Sequence, residues 1–253
     1  MEIRGADCRA RFVPADGARL AELSLGGHQL MVSDWGGGEL FHGAFVMAPW
    51  TSTLPDATFT FAGDQVRMPA DYPPNAEHGV VRKSGWRPSA GGLATDIAGG
   101  WPYGGTVTMT PTPLAGGLDL SLTVRAGTRP MPAAVGWHPW FVRHLRGREA
   151  QVRIPAGALE QERDDSGRPT GRWLTASPPP WNACLRTAGP VEVEWPGVGT
   201  LTIAYSSAYV TLFTSHERGV CVEPVTSPAE TMDRVLLPGE DLRLDISLRW
   251  TAA

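Results

Sequence analysis

Three residues of this sequence have side chains suited to moving protons at carbon–oxygen bonds, and each sits in an unusual setting. His138 lies in G136-W-H-P-W-F141, Glu223 in V220-C-V-E-P-V-T226 and His78 in N75-A-E-H-G-V-V-R82. An imidazole and a carboxyl have well-separated ordinary pKa values, so together they supply an acid and a base. His138 and Glu223 are each followed by a proline, which biases the preceding residue toward extended backbone and so aims its side chain in one direction. Their apolar neighbours offer no hydrogen bonds, yet a buried imidazole needs partners and a lone buried carboxylate is costly. Two readings of each stay open on spacing alone. His138 is a satisfied core histidine or a positioned acid or base; Glu223 is half of a structural ion pair or a carboxyl at the mouth of a site. His28, His42, His144 and His216 lie in turn-like or polar surroundings and read as surface histidines.

The elements that must position these side chains are strands. L118-D-L-S-L-T-V124 and L242-R-L-D-I-S-L-R-W250 alternate apolar and polar residues with period two, and V191-E-V-E-W195 does so over a shorter span. T106-V-T-M-T110, L201-T-I-A-Y205 and Y209-V-T-L-F213 read the same way. Glycine pairs and Pro238-Gly239 punctuate these runs as turns. The 30 glycines and 23 prolines interrupt nearly every window long enough for an amphipathic helix. The expectation is an all-β protein of two packed antiparallel sheets with little helix, forming one domain over residues 1–253.

Composition narrows the function classes. The chain has 253 residues, 42% hydrophobic and 19% charged, with a net charge of −4. Lys83 is the single lysine. That balance excludes a broad nucleic-acid footprint, which needs clustered cations. Cys8, Cys184 and Cys221 are odd in number and lack metal-ligand spacing, so a reducing compartment is expected. The polar start and the absence of a long apolar run predict a cytoplasmic protein with no membrane partner.

Taken in order, H78-G with Arg82 and Trp86, then H138-P-W-F141, then V222-E-P-V-T226 resemble the aldose 1-epimerases, the mutarotases of the galactose mutarotase-like group. Gly26-Gly27, M47-A-P-W50, F59-T-F-A-G63 and L237-P-G-E240 agree, so the resemblance runs from about residue 15 to about residue 250. It implies a large antiparallel β-sandwich (a supersandwich) with a sugar in a cleft on one concave face. His138 would be the general acid at the pyranose ring oxygen and Glu223 the general base at the anomeric hydroxyl. His78 would hydrogen-bond the sugar, and Arg82, Trp86, Trp140 and Asn182 would complete the binding surface. No metal or organic cofactor is implied. The partner would be a small-molecule sugar, and the protein a monomer or homodimer. His138 and Glu223 are expected to line one cleft a sugar's width apart.

The sequence departs from the family pattern at two places. In P49-W-T-S-T-L54, Thr53 stands where the family usually carries a sugar-contacting arginine, and in W181-N-A-C-L185, Asn182 stands where it usually carries an aspartate. Neither departure touches the proposed acid and base, but both bear on which sugar is taken. Arg82 beside His78 suits an anionic hexose, phosphorylated or sulfonated, through a bidentate guanidinium; its alternative is a structural pair with a carboxylate such as Glu77 or Glu223. A carbohydrate-binding or sensing protein with little turnover is the competing class, favoured by the two missing groups.

Overall fold

The structure, a computed structural model, describes residues 1–253 and contains 27 strands with only two single-turn 3₁₀ segments. No helix is long and apolar enough to cross a membrane. Two large antiparallel sheets dominate. The eight-stranded sheet runs Arg87–Ser89, Gly92–Asp96, Thr106–Leu114, Gly117–Arg125, Asp241–Ala252, Gly199–Tyr205, Val191–Trp195, Gln151–Arg153. Five of the six alternating segments fall here, because this sheet buries one face and exposes the other. Along Gly117–Arg125, Leu118, Leu120, Leu122 and Val124 are buried while Asp119, Ser121 and Thr123 are half-exposed.

The eleven-stranded sheet carries the candidate site. Its middle consists of Arg19–Leu25, Ala44–Met47, Gly136–Val142, Gly219–Val225, Tyr209–Phe213 and Asn182–Arg186, in that spatial order. Alternation disappears at its centre: all seven residues of Gly219–Val225 are buried, as are six of the seven in Gly136–Val142. One face of these strands packs on the opposite sheet, where Val46, Trp137, Val210, Leu185 and Val222 join a 52-residue cluster shared by both sheets. The other face is covered by side chains of its own, including Phe45, Met47 and Val225 on one flank and Trp140 and Cys221 on the other.

Pairing register places the polar residues on that second face. Trp137 opposes Val46 and His138 opposes Phe45, while the flanking pairs Gly136↔Val225 and Trp140↔Cys221 set His138 across from Glu223. Glu223 in turn opposes Thr211, and Thr211 opposes Cys184. Directly opposed residues share a face, so Phe45, His138, Glu223, Thr211 and Cys184 form one row across the sheet. Cys221 sits two residues from Glu223 and therefore on the same face.

Candidate active site

His138 and Glu223 meet at the centre of that row, with Nε2 of His138 3.4 Å from Oε1 of Glu223. Both side chains are over nine-tenths buried. Pro139 and Pro224 follow them directly, removing two backbone donors from the ladder here, and no residue pair between Gly136↔Val225 and Trp140↔Cys221 is formally bridged. Phe45 lies beneath the imidazole, its ring stacked at 4.6 Å, and Trp140 stacks at 5.9 Å. The expectation of a sugar-wide gap between acid and base is therefore corrected: adjacent in-register strands hold the two groups in contact. That spacing is chemically sensible. The ring oxygen and the anomeric hydroxyl share one carbon, so the groups serving them must stand side by side.

The third residue arrives on a separate loop. His78 lies edge-on to His138, ring centroids 5.0 Å apart, with the left-handed φ of +56° that a non-glycine residue seldom adopts. What holds it there is the Ala48–Ser52 segment: His78 N donates to Ser52 O at 2.9 Å and Val80 N to Ala48 O at 2.9 Å. Gly79 is obligatory in this docking, since its φ is +73° and a Cβ would stand 2.0 Å from Ala48 O. Gly136, in the opening motif, is required by crowding instead. A Cβ there would meet Met47 Cε at 2.7 Å, Thr51 Cγ2 at 2.9 Å and Val225 Cγ1 at 2.9 Å. Gly136→Ala should destabilise by about 1–3 kcal/mol through overpacking, read as a lower urea midpoint; an unchanged midpoint would contradict the packing described.

Electrostatics favour neutral forms of both central groups. Burial alone pushes the Glu223 carboxyl up to about 8, with no neighbouring charge or hydrogen bond offsetting it. Burial, assisted by the charge of neighbouring His78, holds His138 well below the ordinary imidazole range. Burial first and Arg82 second lower His78 to about 3. Nδ1 of each histidine is buried with no hydrogen-bond partner in the protein, an energetic cost that a polyhydroxylated ligand would relieve.

The remaining expected site residues divide. Trp140 belongs to the site face, where its indole N–H donates to Leu40 O at 2.6 Å and its ring meets Phe213 and His216. Trp137 points the other way, into the core. Trp86 is likewise a core residue, its indole N–H donating to Val81 O at 3.1 Å. Asn182 is exposed on the site face but opposes Phe213, which opposes Cys221, which opposes Trp140. Three strand spacings set it about 14 Å from Trp140, and the structure does not bring it to the acid–base pair.

Arg82 is buried and fully engaged. Its Nε donates to Glu77 O at 3.2 Å, one terminal nitrogen donates to Glu39 Oε1 at 2.7 Å and the other bonds Asp71 Oδ2. Glu39 and Asp71 take the guanidinium, Glu77 contributes only its backbone oxygen, and Glu223 is not a partner. No free fork is left to clamp an anion.

Sequence reasoning missed Phe45 and Glu77. Phe45 lies outside every motif that the sequence singles out. Glu77 is nine-tenths buried beside His78, with Oε2 3.8 Å from His78 Nε2. Burial raises its pKa, and Thr53 Oγ1 donates to its two oxygens at 2.9 and 3.1 Å. Thr53 thus anchors a carboxyl where an arginine was expected. Beyond Thr53 opens a cleft of about 600 Å³, walled by Trp50, Thr51, Phe59, Glu230 and Met232. Neither His138 nor Glu223 lines this cleft; Thr53, on its wall, joins it to Glu77.

Comparison with known proteins agrees with this architecture. The family profile described as aldose 1-epimerase matches residues 10–231. No curated protein matches the sequence. Among solved structures, a galactose mutarotase-like protein from Clostridium acetobutylicum superposes with a TM-score of 0.85 at 15% identity, covering 100% of this chain and 95% of that one. An aldose epimerase homologue from C. elegans gives 0.81 at 17% identity, covering 100% and 98%. A galactose 1-epimerase from Lactobacillus acidophilus NCFM gives 0.80 at 12%, covering 99% and 93%. At these identities the structures establish the shared fold, and the profile, spanning most of the sequence, establishes the relationship: the chain belongs to the aldose 1-epimerase family.

Proposed function

We propose that this protein interconverts the α and β anomers of a free aldose by opening and reclosing its ring at His138 and Glu223. The observation that carries the reading is the contact between these two buried groups on one sheet face, with His78 edge-on beside them. One group delivers a proton to the ring oxygen while the other takes the proton from the hydroxyl on C1, and the C1–ring-oxygen bond breaks to give the aldehyde. Rotation about C1–C2 presents the other carbonyl face. Reclosure returns each proton, with the two residues exchanging roles. His78 is the hydrogen-bonding partner for a sugar hydroxyl, and the rings of Phe45 and Trp140 fix the imidazole plane.

The reaction needs one proton on the pair, so that one member is an acid and the other a base. With His138 lowered and Glu223 raised to about 8, the resting pair carries that proton on the carboxyl at neutral pH. Raising the pH through about 8 removes it and leaves two bases. kcat/KM is therefore expected to be flat near neutrality and to fall about tenfold per pH unit above about 8. A profile that rises through this range would show that ionised Glu223 is the working form and would overturn the assignment of the resting proton.

A neutral aldose fits better than an anionic one. Arg82 is held by Glu39 and Asp71, and the carboxyl nearest His78 is Glu77. NMR exchange spectroscopy or polarimetry on freshly dissolved α-glucose, α-galactose and their 6-phosphates tests both points. Acceleration of the neutral sugars above the phosphates is expected. If no sugar equilibrates faster than in buffer, the enzyme reading fails and a binding role replaces it.

A further inference from the structure

The acid–base chemistry leaves three buried thiols unused, and one of them converges on the proton-transfer pair. Cys221 is a free thiol, fully buried, on the same face as Glu223 and two residues from it. Its Sγ, a ring nitrogen of His138 and a carboxyl oxygen of Glu223 all lie within 4.8 Å of one another. Each of these side chains is more than nine-tenths buried, and His138 Nδ1 has no partner in the protein. A thiol, an imidazole and a carboxyl converging without mutual hydrogen bonds form a donor set for a borderline-soft cation. Ligands around a tetrahedral zinc ion stand about 3.3–3.8 Å apart, given bonds of about 2.0–2.3 Å, so a side-chain shift of an ångström or less closes the site.

We infer that His138, Cys221 and Glu223 form a zinc-binding site, with a fourth position open toward the sugar side, and that zinc occupancy switches the mutarotase chemistry off. The mixed sulfur, nitrogen and oxygen donors select zinc over magnesium or calcium, which take oxygen ligands. Coordination converts the Cys221 thiol to thiolate and the protonated Glu223 carboxyl to carboxylate, releasing both protons to solvent. The metal occupies the lone pairs that His138 and Glu223 need for proton exchange, so sugar turnover and zinc binding exclude one another. The inhibitory half of this inference rests on the proposed mutarotase reading; the binding half does not.

Calorimetric titration of the purified full chain with zinc chloride, beside Cys221→Ala, separates the two. The wild type is expected to take up one zinc ion. Cys221→Ala should weaken that binding by at least about 100-fold while keeping the metal-free fold and an unchanged mutarotation rate. Cobalt in place of zinc should show a thiolate-to-metal charge-transfer band in the near ultraviolet that Cys221→Ala abolishes. Zinc should inhibit mutarotation reversibly by chelator in the wild type and fail to do so in Cys221→Ala at the same concentration. Equal zinc affinity in the two proteins, or no one-to-one binding by the wild type, overturns the site. A wild type that binds zinc with the cobalt signature but turns over no sugar upholds the site and overturns the mutarotase reading.

Discussion

His138→Ala and Glu223→Gln are each expected to lower kcat/KM for anomer exchange by roughly 10²- to 10⁴-fold, the range of one positioned proton-transfer group. The double variant should be little worse than the poorer single one, because an acid without its base opens no ring and groups that act as a unit are not additive. Folding is expected to survive. Gln keeps the shape of Glu223 and is neutral, the state that burial already favours for this carboxyl, so no buried charge is left unpaired. Loss of rate with an unchanged thermal midpoint would therefore report chemistry rather than collapse. Rates within tenfold of wild type for both single variants would sink the assignment.

How much of this was legible in the sequence depended on whether a residue's neighbours were near in the chain. Five of the eight strands of the smaller sheet could be read, since one solvent face leaves a period-two imprint on runs such as Gly117–Arg125. The central strands of the larger sheet left no such imprint, because both their faces are covered. The prolines after His138 and Glu223 marked those residues as special, but the register that sets them opposite each other depends on pairing between segments some 80 residues apart. Trp86 and Trp137 show the same limit: an aromatic beside a motif histidine faces core or cleft according to a pleat the sequence does not display. Glu77 was hidden for a different reason. Its environment comes from Thr53, Asp71 and Arg82 across short loops, and the sequence offered it only as a candidate ion-pair partner for Arg82.

Arg82 and Lys83 bridge the same two carboxylates, yet their removal is expected to differ several-fold in cost. Lys83 Nζ reaches Glu39 at 3.0 Å and Asp71 at 3.1 Å from a side chain that is 42% exposed. Water replaces such a partner well, so Lys83→Met should cost less than about 1 kcal/mol. Arg82 is 2% exposed and also supports the carbonyl of Glu77, the residue before His78. Arg82→Met leaves Asp71, itself only 20% exposed, without its buried partner. Breaking a buried pair from one side costs about 3–5 kcal/mol; with Lys83 and solvent still at hand, about 3 kcal/mol is expected. For a chain of this length that is a fall in Tm of roughly 6–12 °C. Differential scanning calorimetry of the two variants checks the contrast, and anomer exchange measured well below the lowered Tm checks its meaning. If Arg82 served an anionic substrate, Arg82→Met would leave Tm in place and raise KM for a sugar phosphate alone. A guanidinium that holds the His78 loop predicts the reverse: a clear thermal loss, and a change in kcat/KM for neutral sugars that follows the disturbed position of His78.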